Sequence, residues 1–358
     1  MHMINNPIYV DHNRTTLPAP EVLEAMHHFS ALAPDSDLRK QSLHTAKQQL
    51  ANLLHDKPSN LFFTKGTSHG LRLGIHLLVN AMEAPKKIIT CKTEHPAVLN
   101  TCRELEQKGA VVIYLDVDRE GKMDLDVLEA NLQSGKALVC IMAANNETGV
   151  IQDLESIAAL CVRYDSPFFS DASQYAGKMR IDLNELNLHA LAFGAHKMHG
   201  PEGIGLLYLR DSERFFPLLE SVQMELEEIK LHPEFETKLI GFGEAARIFN
   251  EQHWDISIHV SKLRNYFEHQ LLEIDGLRIN GSTRTRLYNT SNLTFPASKH
   301  PQTLLGEYQF AHNQNRVSHV LASMQLSEEE IHRSFRFSFG KNNTLDEIRQ
   351  LVEALMNC

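Results

Sequence analysis

Long apolar runs, excess positive charge and paired cysteines are what this chain of 358 residues lacks. No uninterrupted apolar segment reaches the roughly 18–20 residues that cross a bilayer, so no membrane partner is expected. Lys and Arg number 35 against 45 Asp and Glu, a net charge of −10 that gives nucleic acid or an anionic lipid surface no electrostatic hold. The N-terminal MHMINNP lacks the basic-then-apolar order of a secretory signal, and cytoplasm is the expected compartment. Cys91, Cys102, Cys140, Cys161 and Cys358 form no CxxC pair and no disulfide-like spacing; Cys140 and Cys161 read as buried core thiols. His196 and His199 make an HxxH pair without a third ligand, so no metal is expected. Internal repeats, low-complexity tracts and flexible linkers are also missing.

A composition of 42% hydrophobic and 22% charged residues suits a globular protein with one large domain and a smaller one. From residue 61 short β-like runs alternate with amphipathic segments. Strands are expected at 61–64, 87–91, 111–115, 137–142, 167–170 and 190–193, with helices at 96–108, 125–132 and 154–163 between them. This alternation predicts an α/β fold with a mostly parallel sheet covered on both faces. Residues 203–209 (GIGLLYL) read as a further strand, not a phosphate loop, since no helix follows. Beyond residue 245 the pattern changes to a long helix (245–271), strands at 278–280, 290–295 and 334–339, and a closing helix at 345–356, a smaller α+β domain at the C-terminal end. The expected division is a large domain over 16–244 and a small one from 1–15 with 245–358.

In parallel sheets the ligand site lies beyond the carboxyl ends of the strands. Chemistry-bearing residues collect there: 64–70, His95, Asn145 with Asn146, 171–174, and His196 with Lys197 each follow an apolar run. Lys197 sits in a glycine-bounded turn (FGAHKMHGP), and twenty-six residues earlier another run ends in Asp171. An acid and a lysine at neighbouring strand ends suit pyridoxal phosphate, whose aldehyde condenses with an amine and whose ring nitrogen stays protonated beside a carboxylate. Thr67 and Ser68, at a helix start in TKGTSHG, suit its phosphate. His95, in KTEHP, is placed to lie over a flat ring; Asn146 and Gln174 are donors for its phenolic oxygen. Each residue alone has a plainer reading as a cap, a turn or a solvated amine, so the argument is joint.

The order of motifs resembles the cysteine desulfurase family, within the class V aminotransferase group and the type I fold of pyridoxal-phosphate enzymes. YVDHNRTT (9–16) is similar to that family's LDNxATT, and HPAVL, NNETGVIQ, DASQ and HKMHGPEGIG match its central blocks; RSFRFSFG (333–340) resembles SIRFSLG. The resemblance implies that Lys197 carries the cofactor as a Schiff base, that Asp171 pairs with the ring nitrogen, and that His95 stacks on the ring. It further implies that Asn146 and Gln174 hold ring substituents, and that Ser68 and His196 serve the phosphate. Asn13, Arg14 and Arg336 would face the substrate, Arg336 gripping its α-carboxylate with a planar fork.

Several blocks depart from the family pattern. Its nucleophilic cysteine, in SxxAC, would fall near 308–313 (YQFAHN), which holds no cysteine and runs about ten residues short by the loop lengths such segments need. Its glycine-rich RSGT segment, whose threonine reaches a neighbouring subunit's phosphate, is replaced at 224–233 by MELEEIKLHP. Gly194 stands where a serine is expected, Arg14 where a small residue is, and Ser68-His69-Gly70 partly replaces TES. Arg14, Lys65 and His69 would make the pocket mouth basic, which favours an acidic substrate side chain. The expected protein is a homodimeric, pyridoxal-phosphate-dependent enzyme acting on a small amino acid. C–S or C–Se cleavage without a loop-cysteine persulfide leads, with Cys358 the nearest downstream thiol and any sulfur-acceptor protein undetermined. A class V aminotransferase or racemase, or a non-catalytic binding subunit, is the alternative.

Overall fold

The computed structural model describes residues 7–215, 226, 228–230, 232, 234–312 and 317–358. Much of 224–233, and residue 313 of the segment expected to replace the cysteine loop, lie outside them.

The central sheet has seven strands in the spatial order Leu61–Thr64, Gly205–Leu209, Ala190–Gly194, Phe168–Asp171, Leu138–Cys140, Lys87–Cys91 and Val111–Leu115. Gly205–Leu209 runs antiparallel to both its neighbours, and the sheet's other pairings are parallel. Ala190–Gly194 and Gly205–Leu209 are buried at every position, as their unbroken apolar sequence requires of strands covered on both faces. The helices Thr67–Asn80, Pro96–Gln107, Leu125–Gln133 and Leu154–Arg163 fall where the amphipathic pattern placed them. An α/β fold with a mostly parallel sheet is what forms.

The N-terminal half adds helices at Pro20–Ser30 and Asp37–Leu54, which pack on the long helix Phe235–Leu271. That helix begins ten residues before the expected 245. Gly241 and Gly243 weaken the helical signal there, but both are contact points: a Cβ on Gly243 would stand 2.6 Å from Ala46 Cα, and one on Gly241 2.6 Å from Met26 Sδ. Tertiary packing overrides the glycines' low propensity.

Two apolar cores divide the helix between them. Leu239, Phe242 and Phe249 join the core that holds the large sheet, whereas Val260, Phe267 and Leu271 join a second core with Phe295, Phe335 and Phe337. The second core covers one face of an antiparallel sheet ordered Ala311–His312, Ser334–Ser338, Thr290–Thr294 and Arg278–Ile279. Two short parallel strands, Ile8–Tyr9 and Tyr308–Gln309, tie the N-terminal segment to this region. Among the described residues no helix is long and apolar enough to cross a membrane.

One buried ion pair links the long helix to the small sheet's approach. Arg286 Nη1 and Nη2 donate to Glu268 Oε1 and Oε2 at 2.7 and 2.6 Å, with side chains 5% and 9% exposed. Removing one partner strands a charge away from water. Glu268→Ala is therefore expected to lower unfolding free energy by roughly 3–5 kcal/mol, read by urea denaturation.

Candidate active site

Adjacent parallel strands bring the acid and the amine together. In the pairing of Phe168–Asp171 with Ala190–Gly194, Asp171 lies opposite Ala192, and Ala190–Gly194 runs directly into the turn Ala195–Lys197. Asp171 and Lys197 both line a cleft of about 1000 Å³. Other strand ends supply the rest of its wall: Thr67 and Ser68 after Leu61–Thr64, His95 after Lys87–Cys91, Asn146 after Leu138–Cys140, Gln174 after Phe168–Asp171, and His196 beside Lys197. Asn13 and Arg14 enter from the N-terminal segment and Arg336 from the small sheet. The residues read from the sequence as holding cofactor or substrate line this one cleft, whereas Asn145 does not.

Lys197 Nζ donates to the main-chain carbonyls of Asn13 and Arg14, the latter at 2.6 Å. Burial, with the Arg336 guanidinium next, pulls its pKa down to about 8, and Asp171 and Asp11 only partly oppose this. The amine therefore has a substantial neutral, nucleophilic fraction near neutral pH. Asp171 Oδ1 accepts from the Ser173 N–H at 2.8 Å and from the Ser173 hydroxyl, which fixes the carboxylate in the cleft wall.

His95 caps the helix Pro96–Gln107, its Nδ1 accepting the Ala97 N–H at 3.1 Å. Burial lowers its pKa, with Asp171 opposing. The ring is thus neutral at physiological pH with its proton on Nε2, a tautomer inferred from the cap. His196 is neutral too: burial, then Lys197, pushes it down to about 4.

The helix Thr67–Asn80 starts on Gly66 with no side-chain cap, and Thr67 Oγ1 is buried without a partner. A helix start without a side-chain cap, beside an orphan hydroxyl, forms a ready anion cradle. Arg336 belongs to an interior strand of the small sheet. Its Nη2 meets Asp11 Oδ1 at 2.5 Å and its Nη1 donates to Asn146 O at 2.9 Å, while Nε is buried and unpartnered. At the rim, Arg14 and Lys65 are exposed, Lys65 lying 4.0 Å from Glu228, and Glu202 accepts from the Thr15 hydroxyl at 3.0 Å.

Sequence reasoning missed two charged groups here. Asp11 lay inside the quoted YVDHNRTT block, but nothing along the chain shows that it meets a residue 325 positions away. Lys178 follows Gln174 by four residues, the spacing of one helical turn, which was the available signal.

Residues 8–351 match the family model of class-V aminotransferases. The chain belongs to that family. Within it, the chain is 32% identical to the cysteine desulfurase IscS of Vibrio campbellii, covering 98% of this chain and 92% of that one. It is 34% identical to a cysteine desulfurase of Trichormus azollae, covering 97% and 92%. Among solved structures, a NifS-like protein superposes with a TM-score of 0.84 at 26% identity over 98% of this chain and 99% of its own, and SspA in complex with cysteine with 0.77 at 27% over 94% and 100%. Within that family the chain belongs with the cysteine desulfurases, as a pyridoxal-phosphate-dependent enzyme of type I fold. The residues present fit that cofactor: an uncapped helix start with an orphan hydroxyl for phosphate, a fixed carboxylate and a lysine of lowered pKa.

Proposed function

We propose that the enzyme cleaves the C–S or C–Se bond of a cysteine-type amino acid by β-elimination, without passing sulfur to a loop cysteine. The location of the thiols carries this reading. Cys91, Cys102, Cys140 and Cys161 are buried, and burial pushes each thiol up, that of Cys102 to about 12. A buried protonated thiol neither attacks sulfur nor leaves the core. Cys358 ends the helix Leu345–Asn357, its Sγ set against Leu355 O, and no cysteine lines the cleft among the described residues.

Bound in the cleft, pyridoxal phosphate supplies an electron sink for negative charge at the substrate α-carbon. The chain's own residues do the remaining work. Thr67, Ser68 and His196 hold the phosphate, Asp171 keeps the ring nitrogen protonated, and His95 and Asn146 frame the ring. Arg336 grips the α-carboxylate, with Asn13 and Arg14 beside it. Lys197 Nζ removes the α-proton, a task its lowered pKa suits. The balance requires no oxidant: cysteine and water give pyruvate, ammonia and sulfide. Arg14 at the rim biases the site toward substrates with an anionic side chain. We also propose that the enzyme is a homodimer, as sites of this kind often form near a two-fold axis; light scattering of the holoenzyme checks this.

Incubation with cysteine, cystine and cysteine sulfinate, assaying sulfide, pyruvate and alanine separately, tests the reaction. Equal sulfide and pyruvate from cysteine are expected. Alanine with protein-bound persulfide would overturn the thiol-free route, and amino-group transfer to a keto acid would make it an aminotransferase.

A further inference from the structure

A second lysine lies behind Gln174, and the reaction above leaves it idle. Lys178 is buried, and no carboxylate pairs with it among the described residues. Its Nζ donates to Gln174 Oε1 at 2.9 Å and to the Gln174 main-chain oxygen at 3.3 Å. Gly177 precedes it at a φ of +75°, and a Cβ there would stand 2.1 Å from Met198 Cβ, so this turn against Met198 requires glycine. Gln174 is buried as well, and its Nε2 donates to Asn13 O at 2.8 Å. The same carbonyl accepts from Lys197 Nζ, so the amide nitrogen and the cofactor-binding amine share one acceptor.

A glutamine amide has an accepting end and a donating end, and which one faces a ligand decides what it recognises. Burial, reinforced by Lys197 and Arg336, lowers Lys178 to about 7. Charged or neutral, Nζ keeps N–H groups to give, while Oε1 only accepts. The amide is thus held between a donor behind and an acceptor in front. We propose that Lys178 is a positioning residue of the cofactor site: it anchors Gln174 Oε1 so that Nε2 faces the cleft and donates to the cofactor's phenolic oxygen, which is ortho to the aldehyde that Lys197 takes. Held at its oxygen, the amide is also a stronger donor at its nitrogen. This rests on the reading of Gln174 as a cofactor donor.

A double-mutant cycle on the full-length apo-protein, titrated with pyridoxal phosphate by absorbance, tests it. Thermal midpoints of each apo-protein serve as the folding control. Lys178→Met and Gln174→Ala are each expected to weaken cofactor binding about tenfold, the loss of one hydrogen bond to a charged oxygen. The double variant should bind no more weakly than Gln174→Ala alone. Losses that multiply to about a hundredfold, or wild-type affinity in Lys178→Met, would overturn the proposal. Wild-type affinity in Gln174→Ala would instead show that Gln174 holds no part of the cofactor, removing the group through which Lys178 acts. Should Lys178→Met not fold, Lys178→Arg keeps a donor at the same place and is expected to bind within about twofold of wild type. An equal loss from Lys178→Arg with and without Gln174 would also sink the idea.

Discussion

Lys197→Ala is expected to abolish the visible absorbance of the purified protein and to lower turnover by at least about 10³-fold, since both the covalent anchor and the α-proton base are lost. Adding pyridoxal phosphate to this variant should restore a weakly bound chromophore that gel filtration strips off, because the phosphate cradle at Thr67 and the Asp171 carboxylate remain. A variant that keeps a non-dialysable chromophore would show that another amine carries the cofactor. The pH dependence of loading gives a second view of the same amine. Only neutral Nζ attacks an aldehyde, and burial together with Arg336 brings its pKa from 10.5 down to about 8. Stopped-flow capture of the cofactor by apo-protein should therefore rise about tenfold per pH unit below pH 8 and flatten above it. A lysine without that shift would keep gaining rate to beyond pH 10.

Arg336→Ala is expected to reduce kcat/KM for cysteine by about 10²-fold or more, mostly through KM, as a fork-shaped grip on the α-carboxylate is lost. The change has a second consequence that the ion pair predicts. Asp11 and Arg336 are 7% and 12% exposed in their side chains, so deleting the guanidinium strands a carboxylate in the protein interior. Denaturant unfolding should show a loss of roughly 3–5 kcal/mol. Arg336→Lys separates the two effects: it keeps a charge for Asp11 and should recover much of the stability, while a point-charge ammonium cannot reproduce two parallel bonds and KM stays high. Unchanged KM in either variant would place the substrate carboxylate elsewhere.

Strand positions were legible because continuous apolar runs of four to six residues bounded by turns admit few other readings. Leu61–Thr64, Lys87–Cys91 and Val111–Leu115 form at the expected residues, and Ala190–Gly194 runs one residue longer. The start of the long helix was not legible, since glycines at 241 and 243 weaken the helical signal although each admits a close neighbour. The short strands Ile8–Tyr9 and Tyr308–Gln309 escaped as well: two residues carry no periodicity, and their partner lies some three hundred positions away.

The cleft divides along the same line. Its parallel-strand residues were foreseeable, because the carboxyl ends of such strands share one edge of the sheet and any reactive residue after an apolar run is delivered there. The amino-acid order alone therefore determined that Lys197, Asp171, His95 and Asn146 would meet, and with them the cofactor's chemistry. Only the tertiary structure decided that Arg336 is tethered to Asp11, that Lys178 holds the amide of Gln174, and that no thiol reaches the cleft among the described residues. Those facts depend on contacts between distant segments, whose geometry is set by how two cores pack along one helix and leaves no trace in local periodicity.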